Sequence, residues 1–448
     1  MYQISEFQTR NFADTINPCT NEASGPGRQN AAEWLRVGFH DMSTADKEAG
    51  TGGLDASIQY ELDTGENLGP GFNTTLAFMS NFLTARSSMA DLIALGVYAS
   101  VRSCGGPAVP FRAGRIDAVG PGRTGVPQPD HPIESFRKQF ARMGFTPAEM
   151  IQVTACGHTI GGVHEAEFPE LLIQGEAPLD SSVADFDNRV VTEYLAGNST
   201  NPLVAGPAVA LGKASDARIF ASDGNATARA LADATVFQDV CQAVLQKMID
   251  VVPRGVVLTD PVRPYRVKPL NMQLGLNPYA RDMRLTGRIR VRSTDLPKEM
   301  LGELTLTYKD RNGTSDCGPC TTRSTFRGVS YGFDDSFVVS RSFPSLAGSC
   351  EREPPPLTVA YLVLSHRRQH QRLDRHLVLH HLYLPQERDD ALLRQQRQPL
   401  PAARRSDDPG ASQLSQPAHG RDQRRGSRSY PLPLPLPFPH QPPHHQGG

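Results

Sequence analysis

The sequence predicts a mainly α-helical domain followed by a small β-rich extension and a disordered, low-complexity tail. Three changes of pattern along its 448 residues carry this reading. Apolar residues recur at helical spacing up to about residue 253, and a period of two takes over between about 281 and 312. Beyond Pro354 the chain turns to Arg, Gln, His and Pro. The expected boundaries are 1–262, 263–352 and 353–448.

The helical part is read from the runs AAEWLRVGF, MADLIALGVYASVR, AEMIQVTA and VFQDVCQAVLQKMIDVV, separated by loops rich in Gly and Pro. Thr146-Pro147-Ala148-Glu149 has the form of a helix start, with Thr as N-cap, Pro in the first turn and Glu three residues after the cap. A helix opened there reaches His158 after about three turns. The β-rich part is read from RLTGRIRVRS and ELTLTYKD, with Asn312-Gly313 as a turn. Cys317 and Cys320 form a CGPC that reads as half a zinc site, as a redox pair, or, the reading favoured here, as part of a structural disulfide involving Cys350.

The final stretch lacks Lys, Ile, Asn, Met and Cys, which is less like a selected domain than like translation in another frame or through an intron. Nine of the 13 histidines lie there, so their pairs are not taken as metal sites.

Lys and Arg (46) nearly cancel Asp and Glu (47), so the balance gives no reason to expect a nucleic-acid partner. No run of 18 apolar residues occurs, and no membrane span is expected. Four glycosylation sequons, at Asn73, Asn198, Asn225 and Asn312, favour secretion, although the opening MYQISEFQTRNF has no apolar leader segment. A signal peptide is therefore expected to be missing from this chain.

Two histidines outside the tail have informative neighbours. Arg36 and His40 are four residues apart on a predicted helix and project from one face. Such a pair suits peroxide cleavage: the imidazole moves a proton between the two oxygens, while the guanidinium stabilises charge on the departing one. An Arg near a core His is the plainer alternative. About a hundred residues later, Gly157-His158-Thr159 ends the helix opened at Thr146, where His158 can face the first histidine across a cavity and ligate a haem iron.

Taken in order, Arg36 to Asp41, Gly53-Leu54-Asp55-Ala56-Ser57 and Gly157-His158-Thr159 resemble the plant, fungal and bacterial haem peroxidase superfamily. The likeness is to its secreted, calcium-containing classes, the fungal class II among them, over roughly Phe12 to Val252. The resemblance implies haem b and two Ca2+. It implies a monomeric enzyme that reduces hydrogen peroxide and oxidises small phenolic-type donors through a ferryl state. It further implies His40 as distal acid–base, Arg36 as its electrostatic partner, Phe39 over the haem and Asn67 as hydrogen-bond acceptor of the distal imidazole. On the other side it implies His158 as iron ligand and Asp223 as the carboxylate accepting the proximal N–H.

The same comparison implies calcium ligands at Asp41, Gly53, Asp55 and Ser57, and at Thr159, Asp180, Ser182, Asp185 and Asp187. Cys19 and Cys104 are expected to bridge; the partner of Cys156 stays open. Arg112 and Gly114-Arg115-Ile116-Asp117 also match the family, as a structural Arg-Asp pair or in a substrate role. Departures narrow the donor. Leu179 precedes Asp180 where an aromatic is frequent, Trp34 is the only tryptophan, and Val153 stands where a surface tryptophan would serve lignin-type oxidation. Of a manganese-binding carboxylate trio only Glu33 is present, with Gln29 and Ile160 in the other places. The alternative to an active enzyme is a catalytically impaired haem-binding or structural secreted domain.

Overall fold

The structure, a computed structural model, describes residues 12, 15–22, 25, 27–171, 175–276 and 283–294. It also describes short strand segments at 305–307, 321–323, 326–331, 336–340, 361–364 and 377–380. Ten α-helices form among these residues, all before residue 251, so the protein is mainly helical with strands following.

Helix α1 spans Asn30–Met42. Its buried Ala31, Trp34, Leu35, Gly38 and Met42 recur every three or four residues and form one inward stripe. Helices α2 (Gly71–Ser80) and α3 (Met89–Ser103) pack against it. Ser88 caps α3 by accepting from the Asp91 N–H at 3.1 Å. Two glycines let these helices approach closely: a β-carbon at Gly38 would lie 2.5 Å from Val97 of α3, and one at Gly96 would lie 2.5 Å from Met79 of α2. Around Trp34 gather Phe12 and Phe78, at 4.9 and 5.2 Å between ring centres. Burying aromatic and aliphatic side chains of this size contributes about 1.5–3 kcal/mol each.

Helix α4 spans Ile133–Met143 and ends at Gly144, whose φ of +95° supplies the left-handed turn that stops a helix. Helix α5, Pro147–Gly157, begins with a complete capping box. Thr146 accepts from the Glu149 N–H at 3.2 Å, and Glu149 accepts from the Thr146 N–H at 2.8 Å. His158 is its C-cap. After a short antiparallel pair, β1 (Gly162–His164) with β2 (Glu176–Pro178), come α6 (Arg189–Ala196), α7 (Pro207–Ala210), α8 (Ser215–Phe220) and α9 (Ala226–Leu231). Helix α10, Ala234–Asp250, is capped by Asp233 and packs on α5.

Cys19 bridges to Cys104, the expected pair, and Cys156 bridges to Cys241, tying α5 to α10. Each closes a separation of 85 residues, worth about 4.6 kcal/mol by loop entropy in the chain-constraint picture.

The segment after α10 stays with the helices: the Val251 carbonyl accepts from Leu54 N–H at 2.7 Å, and Thr259 and Val262 donate to Ala113 and Phe111. Strands β3 (Val267–Leu276), β4 (Met283–Arg292), β7 (Phe326–Tyr331) and β8 (Ser336–Ser340) form one antiparallel sheet in the order β3-β4-β8-β7. Strands β5 (Thr305–Thr307) and β6 (Thr321–Arg323) pair separately.

The tail placed from residue 353 contains two strands, β9 (Tyr361–Leu364) and β10 (Leu377–His380), paired antiparallel. Their sequences, YLVL and LVLH, are short apolar runs that favour strands inside otherwise polar surroundings. By contacts the chain divides after Tyr383, and 384–448 lie outside the described residues. So do Asn312-Gly313, the CGPC of Cys317 and Cys320, and Cys350. Among the described residues no helix is long and apolar enough to cross a membrane.

Candidate active site

Helix α1 delivers Arg36, Phe39 and His40 to one cleft because the turn between positions 36 and 40 brings them to the same face. Phe72 at the start of α2 lies against both polar groups, 4.5 Å from the Arg36 guanidinium and 4.8 Å from the His40 ring. Arg36 also donates to the Leu68 carbonyl at 3.0 Å, which fixes its direction.

His40 is 8% exposed and its Nδ1 lies 2.8 Å from Asn67 Oδ1. The Asn67 amide nitrogen donates to the Glu61 carbonyl at 2.9 Å and to Thr64 Oγ1 at 3.2 Å. Its oxygen must therefore face the imidazole, so Nδ1 carries the proton and Nε2 keeps its lone pair. Burial, then the charge of Arg36, lowers the His40 pKa to about 3, with the Asn67 hydrogen bond opposing and His158 adding slightly to the depression. Burial also brings Arg36 down to about 10, against the pull of Glu167 and Glu33, which leaves it a cation at neutral pH.

His158 sits at the end of α5, with its Nδ1 2.9 Å from Asp216 Oδ2. Its side chain keeps 35% of its surface accessible, while its partner Asp216 is fully buried. Burial pulls the His158 pKa down, but the charge and hydrogen bond of Asp216 outweigh it and the net direction is upward. Each imidazole feels the other side: His158 acts on His40, and Arg36 acts on His158. The two rings thus lie within electrostatic reach of each other's surroundings, one with a neutral basic nitrogen and the other with a carboxylate-backed nitrogen.

This corrects the expectation for Asp223. That carboxylate lies in a turn at Ala221–Asp223 and accepts from the Ala226 and Thr227 backbone N–H groups at 2.9 and 3.0 Å, capping α9. The partner of His158 is Asp216, in the first turn of α8 and fully buried. Asp216 Oδ2 also accepts from Asn201 Nδ2 at 3.0 Å. Neither Asp216 nor Asn201 nor Phe72 was expected from the sequence. The signal missed is the spacing of Asp223 to the helix start at Ala226, which marks it as a capping residue.

The residues expected to hold calcium fall into two groups, each with one buried oxygen that has no partner. Asp41 is fully buried, and its two carboxylate oxygens accept from Ala56 and Ile58 N–H at 2.8 and 3.0 Å. Burial, with Asp55 and Glu61 adding, raises Asp41 well above the usual carboxylate range. Asp55 accepts from Ser57 N–H, Gly53 is held by Thr44 at 3.1 Å, and Ser57 Oγ is buried with no partner. In the second group Asp180 Oδ1 accepts from the Ser182 and Val183 N–H groups, while Oδ2 is buried with no partner. Burial pushes this carboxyl up to about 6. Thr159 Oγ1 accepts from Asp187 N–H at 3.1 Å, which ties the two parts of the loop, and Asp185 is exposed. Among the described residues no three His, Cys, Asp or Glu side chains converge as a metal site; a cation here would rely on mixed hydroxyl, carbonyl and carboxylate oxygens.

Around the distal helix, Glu33 pairs with Arg28 and accepts from Thr74 at 3.1 Å. Gln29 donates to the Val183 carbonyl at 3.2 Å. Arg115 is buried and pairs with Asp91 at 3.0 Å, and the Asp117 carboxylate accepts from the Met89 and Ala90 N–H groups, so this motif is structural.

A helical domain with one buried imidazole beside a guanidinium and a second backed by a carboxylate is the arrangement of haem proteins that activate peroxide. The comparisons agree. The family model "Peroxidase" matches residues 16–237. The chain is 48% identical over 344 residues to a "WSC domain-containing protein" of Arthroderma benhamiae, covering 75% of this chain and 48% of that protein. It is 31% identical over 169 residues to "L-ascorbate peroxidase 5, peroxisomal" of Arabidopsis thaliana, covering 37% of this chain and 58% of that one. It is 31% identical over 139 residues to a "Putative heme-binding peroxidase" of Pyricularia oryzae, covering 30% and 46% respectively. The chain thus spans about half the length of the curated relatives it matches. Its helical domain belongs to the plant, fungal and bacterial haem peroxidase superfamily.

Proposed function

We propose that the chain is a haem peroxidase that reduces hydrogen peroxide and oxidises small phenolic-type donors. The observation that carries this is the locked tautomer of His40: Asn67 holds the Nδ1 proton, so Nε2 is free to act as base within electrostatic reach of His158. Haem b, when bound, would supply a redox-active iron able to take up the oxidising equivalents of the peroxide. His158 would hold it through Nε2, since Nδ1 is committed to Asp216. His40 takes the proton from the peroxide oxygen next to it and returns it to the other oxygen, which leaves as water. Arg36 stabilises the charge that develops as the O–O bond breaks. Phe39, half-buried against the core, and the buried Phe72 make part of the distal wall apolar.

The donor class follows from what the surface withholds. Trp34 is the only tryptophan and is 2% exposed, so it offers no contact to a bulky polymeric donor. The Glu33 carboxylate is already satisfied by Arg28 and Thr74, which argues against a manganese site at that edge. Two calcium ions fit the orphaned Ser57 Oγ and Asp180 Oδ2, each buried beside further oxygen donors. Secretion is supported by two disulfides in the helical domain and by the exposure of Asn73 and Asn198.

The test is direct. The full chain, produced with haem and calcium, is expected to show a haem absorption band and to consume peroxide while oxidising a small phenol. Haem uptake without peroxide consumption would favour the impaired-domain alternative instead.

A further inference from the structure

We propose that Asn201 is a positioning residue that tempers the carboxylate behind the iron-ligating imidazole. The inference rests on the reading that His158 holds the haem iron. Asp216 Oδ2 accepts two hydrogen bonds at once, from His158 Nδ1 at 2.9 Å and from Asn201 Nδ2 at 3.0 Å. Asn201 and Asp216 are both fully buried, so that oxygen is shielded from bulk solvent. The amide orientation follows from its other end: Asn201 Oδ1 accepts from the Leu203 N–H at 2.7 Å, which leaves only the nitrogen to face the carboxylate. The two segments are further joined by Asp216 N–H donating to the Leu203 carbonyl at 3.1 Å. The other oxygen, Oδ1, receives only a long bond from Ser215 Oγ at 3.3 Å. Among the described residues no cation is bonded to Asp216 apart from what His158 itself provides.

The consequence is a competition at a single atom. A hydrogen bond donated to an ionised carboxylate is about twice as strong as a neutral one, and it withdraws electron density from the oxygen that accepts it. The amide of Asn201 therefore weakens the pull of Asp216 on the Nδ1 proton. A weaker pull makes the imidazole a poorer electron donor on its other nitrogen, which favours the reduced metal relative to an untempered carboxylate. Asn201 thus sets the strength of the donation, while His158 and Asp216 set its existence.

Two variants separate this role from a merely structural one. Asn201→Ser keeps a hydroxyl able to accept from the Leu203 N–H but is too short to reach Asp216; Asn201→Ala removes both bonds. In the haem-loaded full chain, both variants are expected to lower the iron reduction potential and to raise the iron–histidine stretching frequency, by similar amounts. Three results would overturn the proposal. One is a potential and stretching frequency unchanged in Asn201→Ser. Another is a shift in Asn201→Ala alone, which would make the Leu203 turn the cause. The third is an upward shift, which would mean that the unsupported carboxylate takes up a proton. Failure of the underlying reading looks different: the unaltered chain would then show no iron–histidine band at all.

Discussion

The distal and proximal sides of the site use the same side chain under opposite electrostatic rules. On the distal side His40 meets an amide, which offers a dipole and no charge, and burial beside Arg36 wins: the ring is held neutral, with a pKa lowered to about 3. On the proximal side His158 meets a carboxylate, and a full charge at 2.9 Å outweighs the same burial, so its pKa moves upward. The hydrogen-bond lengths, 2.8 and 2.9 Å, are nearly alike. Their chemistry differs because desolvation penalises a charged ring on both sides, and only a charged partner repays that penalty. A neutral ring suits proton transfer and an electron-rich ring suits ligation, so the choice of Asn or Asp as partner divides the labour.

The largest effect expected from breaking the comparison is at His158. In His158→Ala the haem should be poorly retained and turnover abolished, read as haem content after purification and peroxide consumption. A variant that kept a normal five-coordinate iron spectrum would place the ligand elsewhere; His164 is then the next candidate, although its Nε2 already lies 2.8 Å from the Gly27 carbonyl. Next is His40→Ala, expected to keep haem but slow the reaction with peroxide by about 10²–10⁴-fold, the usual worth of a positioned acid–base group. Stopped-flow kinetics that matched the unaltered chain would remove His40 from the mechanism.

A sharper test makes the distal side imitate the proximal one. With Asn67→Asp a carboxylate replaces the amide, so the His40 pKa should rise from about 3. Since His40 must be neutral to take a proton, the reaction is lost as pH falls through that pKa. The acid limb of the peroxide rate profile should therefore move to higher pH in the variant, and a limb that stayed in place would contradict the assigned tautomer. The smallest effect belongs to Asp223→Ala. It removes a cap of α9 and should cost about 0.5–2 kcal/mol of stability in a thermal melt, with the haem spectrum unchanged. A spectrum that responded would return Asp223 to the proximal side.

Much of the distal half was legible in the chain because it is local. Arg36, Phe39 and His40 share one helix, and helical geometry alone brings positions 36 and 40 together. The capping box from Thr146 to Glu149 is equally local, and it fixes where α5 begins and hence where His158 ends it. The sequence also determined, from its change of period after about residue 281, that strands would follow the helices.

What only the tertiary structure decided is which distant groups meet. Asp216 and Asp223 are seven residues apart in one helical stretch, and both are acidic residues near a helix start. The packing of α8 against α5 turns the first toward His158 and leaves the second to cap α9. The partner of Cys156 was settled in the same way, by α10 lying on α5, and so was the meeting of Asn201 with Asp216. Residue type and spacing specify a contact only within a helix turn or a capping motif; beyond that reach, the contact is chosen by how whole elements bury their apolar faces.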